Sequence, residues 1–246
     1  MRLIASLRSI VMTVAYPFVL IFFSVLVMAV NLLFNNKKWD DYVVQLWGRV
    51  SCWMFGVKIK VIGAEHIPAG GCVFLFNHTS FFDVFAMQGA LNGFRFGAKI
   101  ELFKIPVFGL AMRRLGALPI ARQKRDEVFR VYEAAQERLQ RGERFALAPE
   151  GTRQEEEKLG AFKAGPFVFA INARAPLVPV VIRGAAKILP KGHWVPNSDV
   201  WTREITIDVL EPVSTEGYDI KDRPVLQEKV RNEMLPYFPA NMHSSP

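Results

Sequence analysis

The sequence predicts an α/β protein with a mostly parallel sheet flanked by helices, preceded by an N-terminal membrane-embedded helical segment. Two observations support this fold class. An uncharged apolar run lies near the start of the chain, and from about residue 57 apolar segments typical of strands alternate with segments typical of helices. Strands that alternate with helices form parallel sheets covered on both faces, and sites in such sheets lie beyond the carboxyl ends of the strands.

The apolar run covers residues 10–34, and 21 of its 25 residues are apolar. It is long enough to cross a hydrocarbon core of about 30 Å and too long for the apolar part of a cleaved signal peptide. Pro17 divides the run, so a helical hairpin within one leaflet and a single tilted span are both consistent with it. Basic residues flank both ends, so the positive-inside rule gives no orientation. The sequence therefore predicts a membrane anchor over residues 1–45 and an α/β domain over residues 46–246.

Within the α/β domain, short apolar runs bounded by turn residues predict six strands. They cover residues 57–62, 72–76, 94–98, 144–148, 177–182 and 205–210. Apolar residues at helical spacing predict a helix over 124–141 that stops at Gly142, and further helices are expected over 167–173 and 225–238.

The composition excludes several classes of protein. The chain has 246 residues, is 51% hydrophobic and carries a formal net charge of +8. A chain this apolar is not disordered, and with only Cys52 and Cys72 it is no disulfide scaffold, so both thiols are expected to be buried in a reducing compartment. Nucleic-acid binding is disfavoured because such proteins are rarely half apolar, whereas an anionic membrane surface would attract the basic excess while the apolar run inserts.

The first candidate site follows the strand predicted over residues 72–76. His78 and Asp83 are five residues apart, which places them about 140° apart on a continuous helix, so they can meet only across a turn. If a helix begins at Ser80, Asp83 lies in its first turn and can orient the imidazole, leaving the other ring nitrogen free as a general base. A capping box formed by Ser80 and Asp83 would explain the same residues without catalysis.

The second candidate site follows the strand predicted over residues 144–148. Gly151 lets the backbone approach a ligand closely, and Arg153 offers a planar fork suited to phosphate. An ordinary turn with a surface arginine would explain the same residues. Five basic residues and no acidic residue lie between Arg113 and Arg125, a run that is usually a solvated face but could attract a phosphate-bearing ligand.

Motifs for other chemistries are missing from the sequence. It contains no Gly-x-Ser-x-Gly elbow, no Gly-x4-Gly-Lys phosphate loop and no Gly-x-Gly-x-x-Gly turn, and no Cys/His spacing suggests zinc. An enzyme that forms a covalent intermediate is therefore disfavoured.

Together these segments resemble the glycerolipid acyltransferase family, most closely the 1-acyl-glycerol-3-phosphate (lysophosphatidate) acyltransferases. The similarity runs from about residue 55 to residue 213. The segments that carry it are Asn77-His78-x4-Asp83, Lys99-x-Glu101-Leu102, Pro106-x-Phe108-Gly109, Gly116-x3-Ile120-x-Arg122, Pro149-Glu150-Gly151-Thr152-Arg153, Phe162-Lys163-x-Gly165 and Val178-Pro179-Val180.

The resemblance implies the glycerolipid acyltransferase fold and the transfer of a fatty acyl group to the sn-2 hydroxyl of lysophosphatidate, giving phosphatidate for phospholipid biosynthesis. It implies that His78 is the general base, that Asp83 orients it, and that no acyl-enzyme forms. Residues implied to bind the substrate phosphate are Glu150, Gly151, Thr152, Arg153, Arg122 and Lys99.

The resemblance also implies that acyl-CoA or acyl-acyl carrier protein is the co-substrate and that no cofactor or metal is needed. Both donors are cytosolic, so an N-terminal hairpin embedded in the cytoplasmic leaflet is favoured over a span with its N-terminus outside. This places the protein at the cytoplasmic face of a bacterial inner membrane. Two alternatives remain open. The acceptor could be glycerol 3-phosphate or another lyso-lipid, or the chain could be a non-catalytic membrane lipid-binding protein.

Overall fold

The computed structural model describes residues 2–155 and 158–238, and its centre is a seven-stranded mixed sheet. The strands are β1 (Val57–Ile62), β2 (Val73–Phe76), β3 (Phe94–Lys99), β4 (Leu118–Ile120), β5 (Arg144–Leu147), β6 (Leu177–Arg183) and β7 (Arg203–Val209). Their order across the sheet is β1-β7-β6-β2-β5-β3-β4. All pairs are parallel except β6 with β7, so the prediction of a mostly parallel sheet is confirmed.

Helices cover both faces of the sheet, also as predicted. They are α1 (Arg2–Phe34), α2 (Lys37–Met54), α3 (Phe81–Ala90), α4 (Phe108–Arg114), α5 (Arg125–Gln140), α6 (Gly165–Ala173), α7 (Ala185–Ile188) and α8 (Arg223–Met234). All six predicted strands and the three predicted helices are present, with ends that differ by a few residues.

The sheet divides the core of the α/β domain into two layers. Along β2, Phe74 and Phe76 face one layer, which holds α3 and the end of α2, whereas Val73 and Leu75 face the other, which holds α5, α6 and α8. All four side chains are buried because β2 lies in the middle of the sheet. Burial of each of these four side chains contributes roughly 1.5–3 kcal/mol to stability. Cys52 and Cys72 are buried in the first layer, as expected.

Helices α1 and α2 form an antiparallel hairpin that packs on α3. Near the start of α1, Arg8 donates to the carbonyl of Phe55, just after α2 ends. Near the end of α1, the side-chain amide of Asn31 donates to Asp40, in the first turn of α2, at 2.9 Å. The predicted boundary at residue 45 lies inside α2.

The predicted division of the apolar run at Pro17 is wrong, because α1 continues through this residue. Proline removes one backbone N–H donor, and its ring crowds the preceding turn. The ring of Pro17 lies on the exposed side of α1, where it displaces no packed neighbour. One missing hydrogen bond in a helix of 33 residues is then too small a loss to break it.

The outer face of α1 is an exposed apolar stripe that runs along the whole helix. Its residues recur at helical spacing: Leu3, Ile4, Leu7, Ile10, Val11, Val14, Phe18, Ile21, Phe22, Val25, Leu32 and Leu33. The segment Leu3–Phe34 is long and apolar enough to cross a membrane, and only 17% of its most apolar window is buried. A core helix of a soluble protein would instead be mostly buried.

Candidate active site

The first candidate site lies where β2 ends and α3 begins. The side-chain amide of Asn77 bridges to β6, accepting from the backbone N–H of Ile182 at 2.7 Å and donating to its carbonyl at 2.9 Å. Ser80 caps α3 by accepting from the N–H of Phe82, and its hydroxyl donates to the carbonyl of Leu189. These contacts fix both ends of the segment that carries His78 and Thr79.

His78 and Asp83 are in direct contact, as the sequence predicts. The Nδ1 of His78 lies 2.9 Å from the Oδ2 of Asp83, whose side chain is fully buried. The same carboxylate accepts from the backbone N–H groups of Thr79 and Ser80 at 2.7 and 2.8 Å. Asp83 therefore completes the capping box of α3 and orients the imidazole at the same time, so the two interpretations of this motif are compatible. The contact leaves Nε2 of His78 available for proton transfer.

The carboxylate of Glu150 joins the second candidate site to the first. Its Oε2 accepts from the backbone N–H of His78 at 3.0 Å, and its Oε1 accepts from the N–H of Gly160 at 2.7 Å. In return, the carbonyl of His78 accepts from the N–H of Gln154 at 2.7 Å. Both oxygens of Glu150 are thus used to hold protein backbone, and the main chain of His78 is bound on both sides.

Burial changes the acidity of Glu150. It raises the pKa of this carboxyl to about 7, and the charge of Asp83 adds to the increase. The N–H groups of His78 and Gly160 oppose it, because they stabilise the ionised form.

Arg153 lies beside the imidazole segment with unused hydrogen-bonding capacity. Its guanidinium stacks over the ring of Phe81 at 4.5 Å, at the start of α3. Its Nη1 is buried and has no hydrogen-bond partner in the described part of the chain. A buried donor of this kind is costly unless a ligand completes it, and a guanidinium fork matches phosphate. Gly151, at φ +72°, makes the turn that places Arg153 here.

Arg122 and Lys99 follow the next two strands of the sheet. The pKa of Arg122 is lowered mainly by partial burial and further by the charge of Arg153, while Glu101 opposes the decrease. The two guanidiniums are therefore close enough to repel each other. Lys99 is the last residue of β3. Its Nζ lies 3.5 Å from Oε1 of Glu101, whose negative charge partly compensates that of the ammonium. Thr152, next to Arg153 in the chain, is exposed.

Other basic residues between Arg113 and Arg125 have partners away from this cluster. Arg113 lies over the ring of Phe103, Lys124 pairs with Glu127 at 2.7 Å, and Arg125 lies over Phe129. Arg122, in contrast, interacts electrostatically with Arg153.

No group of three or more His, Cys, Asp or Glu side chains able to hold a metal ion occurs within residues 2–155 and 158–238. The site instead holds an imidazole with one nitrogen not used by Asp83, and Arg153 stacks on Phe81, three residues along the chain from His78. Such a site can take a proton from a hydroxyl group and bind an anion next to it.

The chain matches the model of a known protein family. The model of the Acyltransferase family matches residues 58–183, which is just over half of the chain and includes every residue of the cluster described above. The chain belongs to the Acyltransferase family.

Several relatives of this acyltransferase are proteins named 1-acyl-sn-glycerol-3-phosphate acyltransferase. A chloroplastic protein of Brassica napus is 31% identical over 196 residues, covering 77% of this chain and 54% of its own length. A human alpha form is 33% identical over 76% of this chain and 65% of its own, and a protein of Pseudomonas aeruginosa is 32% identical over 62% of this chain and 61% of its own. The chain thus spans about half the length of the plant relatives and under two thirds of the others.

The fold of this acyltransferase is also found in a solved structure. The 1-acyl-sn-glycerophosphate acyltransferase PlsC from Thermotoga maritima matches with a TM-score of 0.78 at 24% identity, over the full length of both chains. This likeness confirms the fold class. Family membership and the apolar helix α1 together indicate that the protein associates with a membrane.

Sequence reasoning missed the partners that hold the site together. It did not foresee that Glu150 would bind two backbone amides or that Phe81 would stack under Arg153. The position of Phe81 directly after the helix cap Ser80 could have indicated this contact, because it puts the ring in the first turn of α3. Gly160 gave no signal, because its contact depends on how the segment after Arg153 folds back.

Proposed function

We propose that this acyltransferase transfers a fatty acyl group from a thioester donor to the sn-2 hydroxyl of lysophosphatidate, giving phosphatidate. One observation carries the proposal. The contact between His78 and Asp83 leaves one imidazole nitrogen free, and Arg153, which stacks on Phe81 in the first turn of α3, has an unsatisfied buried donor. A substrate that carries a hydroxyl group near a phosphomonoester fits this pairing, and the names of the relatives agree with it.

The reaction follows from the position of the free nitrogen. Nε2 of His78 takes the proton of the sn-2 hydroxyl while that oxygen attacks the carbonyl carbon of the thioester. Asp83 stabilises the resulting imidazolium through Nδ1. The tetrahedral intermediate then collapses, the carbon–sulfur bond breaks, and the imidazolium returns its proton to the thiolate. The acyl group passes directly between substrates, so no acyl-enzyme forms.

The phosphate of the acceptor is held by cations beside this nitrogen. Arg153 supplies the buried Nη1, Arg122 supplies a second guanidinium, and Lys99 adds charge at the rim. Gly151 and Thr152 bring backbone and a hydroxyl near the same place. Glu150 acts through His78 as a positioning residue, because both its oxygens are occupied by backbone amides.

The donor is acyl-CoA or acyl-acyl carrier protein, and the reaction uses no cofactor or metal. Both donors are cytosolic, which places the α/β domain at the cytoplasmic face of a bacterial inner membrane. The structure favours an in-plane anchor over a span. Because α1 lies along α2 and the rest of the domain for most of its length of about 50 Å, it cannot cross a bilayer without drawing the polar domain in with it.

The test uses the purified protein in detergent with a panel of acceptors and with either labelled acyl-CoA or labelled acyl-acyl carrier protein as the donor. Lysophosphatidate should be the preferred acceptor, with turnover well above that on lyso-lipids that lack the terminal phosphomonoester. A preference for one of those lyso-lipids would contradict the role of Arg153 and Arg122. A preference for glycerol 3-phosphate would keep the mechanism and change the acceptor. No transfer to any acceptor from either donor would favour a non-catalytic lipid-binding protein.

A further inference from the structure

The loop between α7 and β7, residues 189–202, exposes an unusual amount of apolar and aromatic surface. We call it the tryptophan loop. Trp194 is 83% exposed and Trp201 50% exposed, and Val195 and Val200 are exposed beside them. Tryptophan is costly to leave in water and is enriched where a membrane meets water, because its ring is apolar and its N–H is polar.

The tryptophan loop is tied to the start of α1. The hydroxyl of Ser198 lies 3.0 Å from that of Ser6, and Arg8 donates to the carbonyl of Trp201 at 2.6 Å. The guanidinium of Arg8 also lies 4.0 Å above the ring of Trp201. Trp201 therefore lies against the second turn of α1, where Leu7 of the apolar stripe is also exposed.

The charges of this region match an anionic surface. Lys187 and Lys191 are exposed at the start of the loop. The only acidic residue from 187 to 203 is Asp199, and Arg203 pairs with it. Exposed lysines beside exposed tryptophans match the phosphate layer and the upper acyl layer of a bilayer, respectively.

Hydrogen bonds give the tryptophan loop a defined shape. Asn197 donates from its backbone to the carbonyl of Ile188 at 2.7 Å and from its side chain to the carbonyl of Lys187 at 2.8 Å. At the start of the loop, the carbonyl of Leu189 accepts from the hydroxyl of Ser80, two residues from His78. The loop thus joins the second turn of α1 to the segment that carries the imidazole.

We propose that the tryptophan loop is a second membrane-docking element, which inserts Trp194 and Val195 into the interface of an anionic phospholipid bilayer. The proposal rests on the membrane association in the proposed function and adds a second contact to that of α1. Two contacts fix the tilt of the domain, whereas a single helix leaves it free to rotate about the helix axis. Through Ser80, this second contact also sets how far His78 lies from the lipid surface.

The experiment labels single introduced cysteines with an environment-sensitive fluorophore. Cys52 and Cys72 do not compete for the label, because both are buried and burial raises the pKa of each thiol to about 12. Val195→Cys tests the loop. Phe18→Cys, on the α1 stripe, is the positive control, and Val225→Cys, exposed on α8 in the opposite layer, is the matched negative control. Each protein is reconstituted with phosphatidylethanolamine–phosphatidylglycerol vesicles that contain a lipid with a quencher on its upper acyl chain.

The emission maximum of the label at Val195→Cys should shift to the blue, and its fluorescence should be quenched to a degree comparable with that at Phe18→Cys. The label at Val225→Cys should keep the emission maximum of a label in water. Emission at Val195→Cys equal to that at Val225→Cys, with Phe18→Cys quenched, would overturn the docking loop and leave the anchor standing. Absence of quenching at Phe18→Cys would instead contradict the anchor of the proposed function. A shift at Val195→Cys that needs no vesicles, or one caused only by acyl carrier protein, would overturn the proposal in favour of a protein contact.

Discussion

The imidazole of His78 is positioned by groups that follow two neighbouring strands, β2 and β5. Asp83 fixes its ring through Nδ1, while Glu150 and Gln154 bind its backbone N–H and carbonyl. A general base must keep its position within a few tenths of an ångström to be effective, and main-chain contacts on both sides restrict the loop more than the ring contact alone. The residues after β5 thus help to position His78, in addition to the phosphate binding proposed for them.

At the scale of single residues, Glu150 gives a pH prediction. Its pKa in the folded protein is about 7, raised from an ordinary value of 4.5 by burial, so the folded state binds this proton more tightly than the unfolded state. The free energy of unfolding should therefore rise as the pH falls through 7 and level off below about 4.5, by up to ~3 kcal/mol. Glu150→Gln should not show this increase in stability at low pH. The measurement is the thermal midpoint of the wild type and of Glu150→Gln at pH 8 and at pH 5.5. Equal changes of the midpoint in the two proteins would show that Glu150 is not a buried carboxyl that titrates in this range.

Arg153 gives a prediction about substrate binding. Arg153→Ala removes the buried donor and the stacking on Phe81, so the KM for lysophosphatidate should rise about 10- to 100-fold while kcat falls less. Arg153→Lys keeps the charge but not the planar guanidinium fork, so its KM should lie between that of the wild type and that of Arg153→Ala. Steady-state kinetics with the donor saturating measure this. A KM for the alanine variant within twofold of the wild type would remove Arg153 from the phosphate site.

At the scale of elements, the position of Asp83 depends on how closely α2 and α3 pack. A Cβ atom on Gly48 of α2 would lie 2.4 Å from the backbone N of Gly89 and 2.7 Å from the carbonyl oxygen of Phe85, both on α3. No side chain fits between these backbones. The helix that begins at the catalytic segment is thus held by a contact that only glycine allows.

Gly48→Ala should therefore lower the thermal midpoint of the protein. Overpacking a backbone contact costs about 1–3 kcal/mol, and the gain of roughly 1 kcal/mol in helix propensity offsets only part of it. Gly70→Ala is the matched control, because a Cβ atom there meets nothing within 4 Å. If the two variants melt at the same temperature, close packing of α2 on α3 is not what positions Asp83.

Elements with a strong local pattern could be predicted from the sequence, and elements that depend on a neighbour could not. The six predicted strands lie in apolar runs. The seventh, β4, was not predicted, because it is only three residues long, contains Pro119 and depends on β3 as its partner strand. Helix α2 was missed because charged residues in its first turn hide its apolar spacing. In the same way, the spacing of His78 and Asp83 predicted their contact, whereas the contact between Glu150 and Gly160 arises only when the chain folds back.

At the scale of the whole molecule, the apolar and basic surfaces lie in different places. The tryptophan loop contacts the start of α1, which carries the apolar stripe, and Arg122 and Arg153 lie beyond the carboxyl ends of the parallel strands. His78 lies between these surfaces, since Ser80 ties its segment to the loop and Glu150 ties it to the strand after which Arg153 lies. A lysophosphatidate in the membrane could then present its headgroup to the cations without leaving the bilayer fully.

The most direct measurement is the rate of acyl transfer to lysophosphatidate by His78→Ala, compared with the wild type at saturating acyl-CoA. The substitution keeps the backbone N–H that Glu150 binds, so the thermal midpoint should stay close to that of the wild type. Removal of the general base should lower kcat by about 10²- to 10⁴-fold. Turnover near the wild-type rate in a folded variant would contradict the central claim that His78 removes the proton from the acceptor.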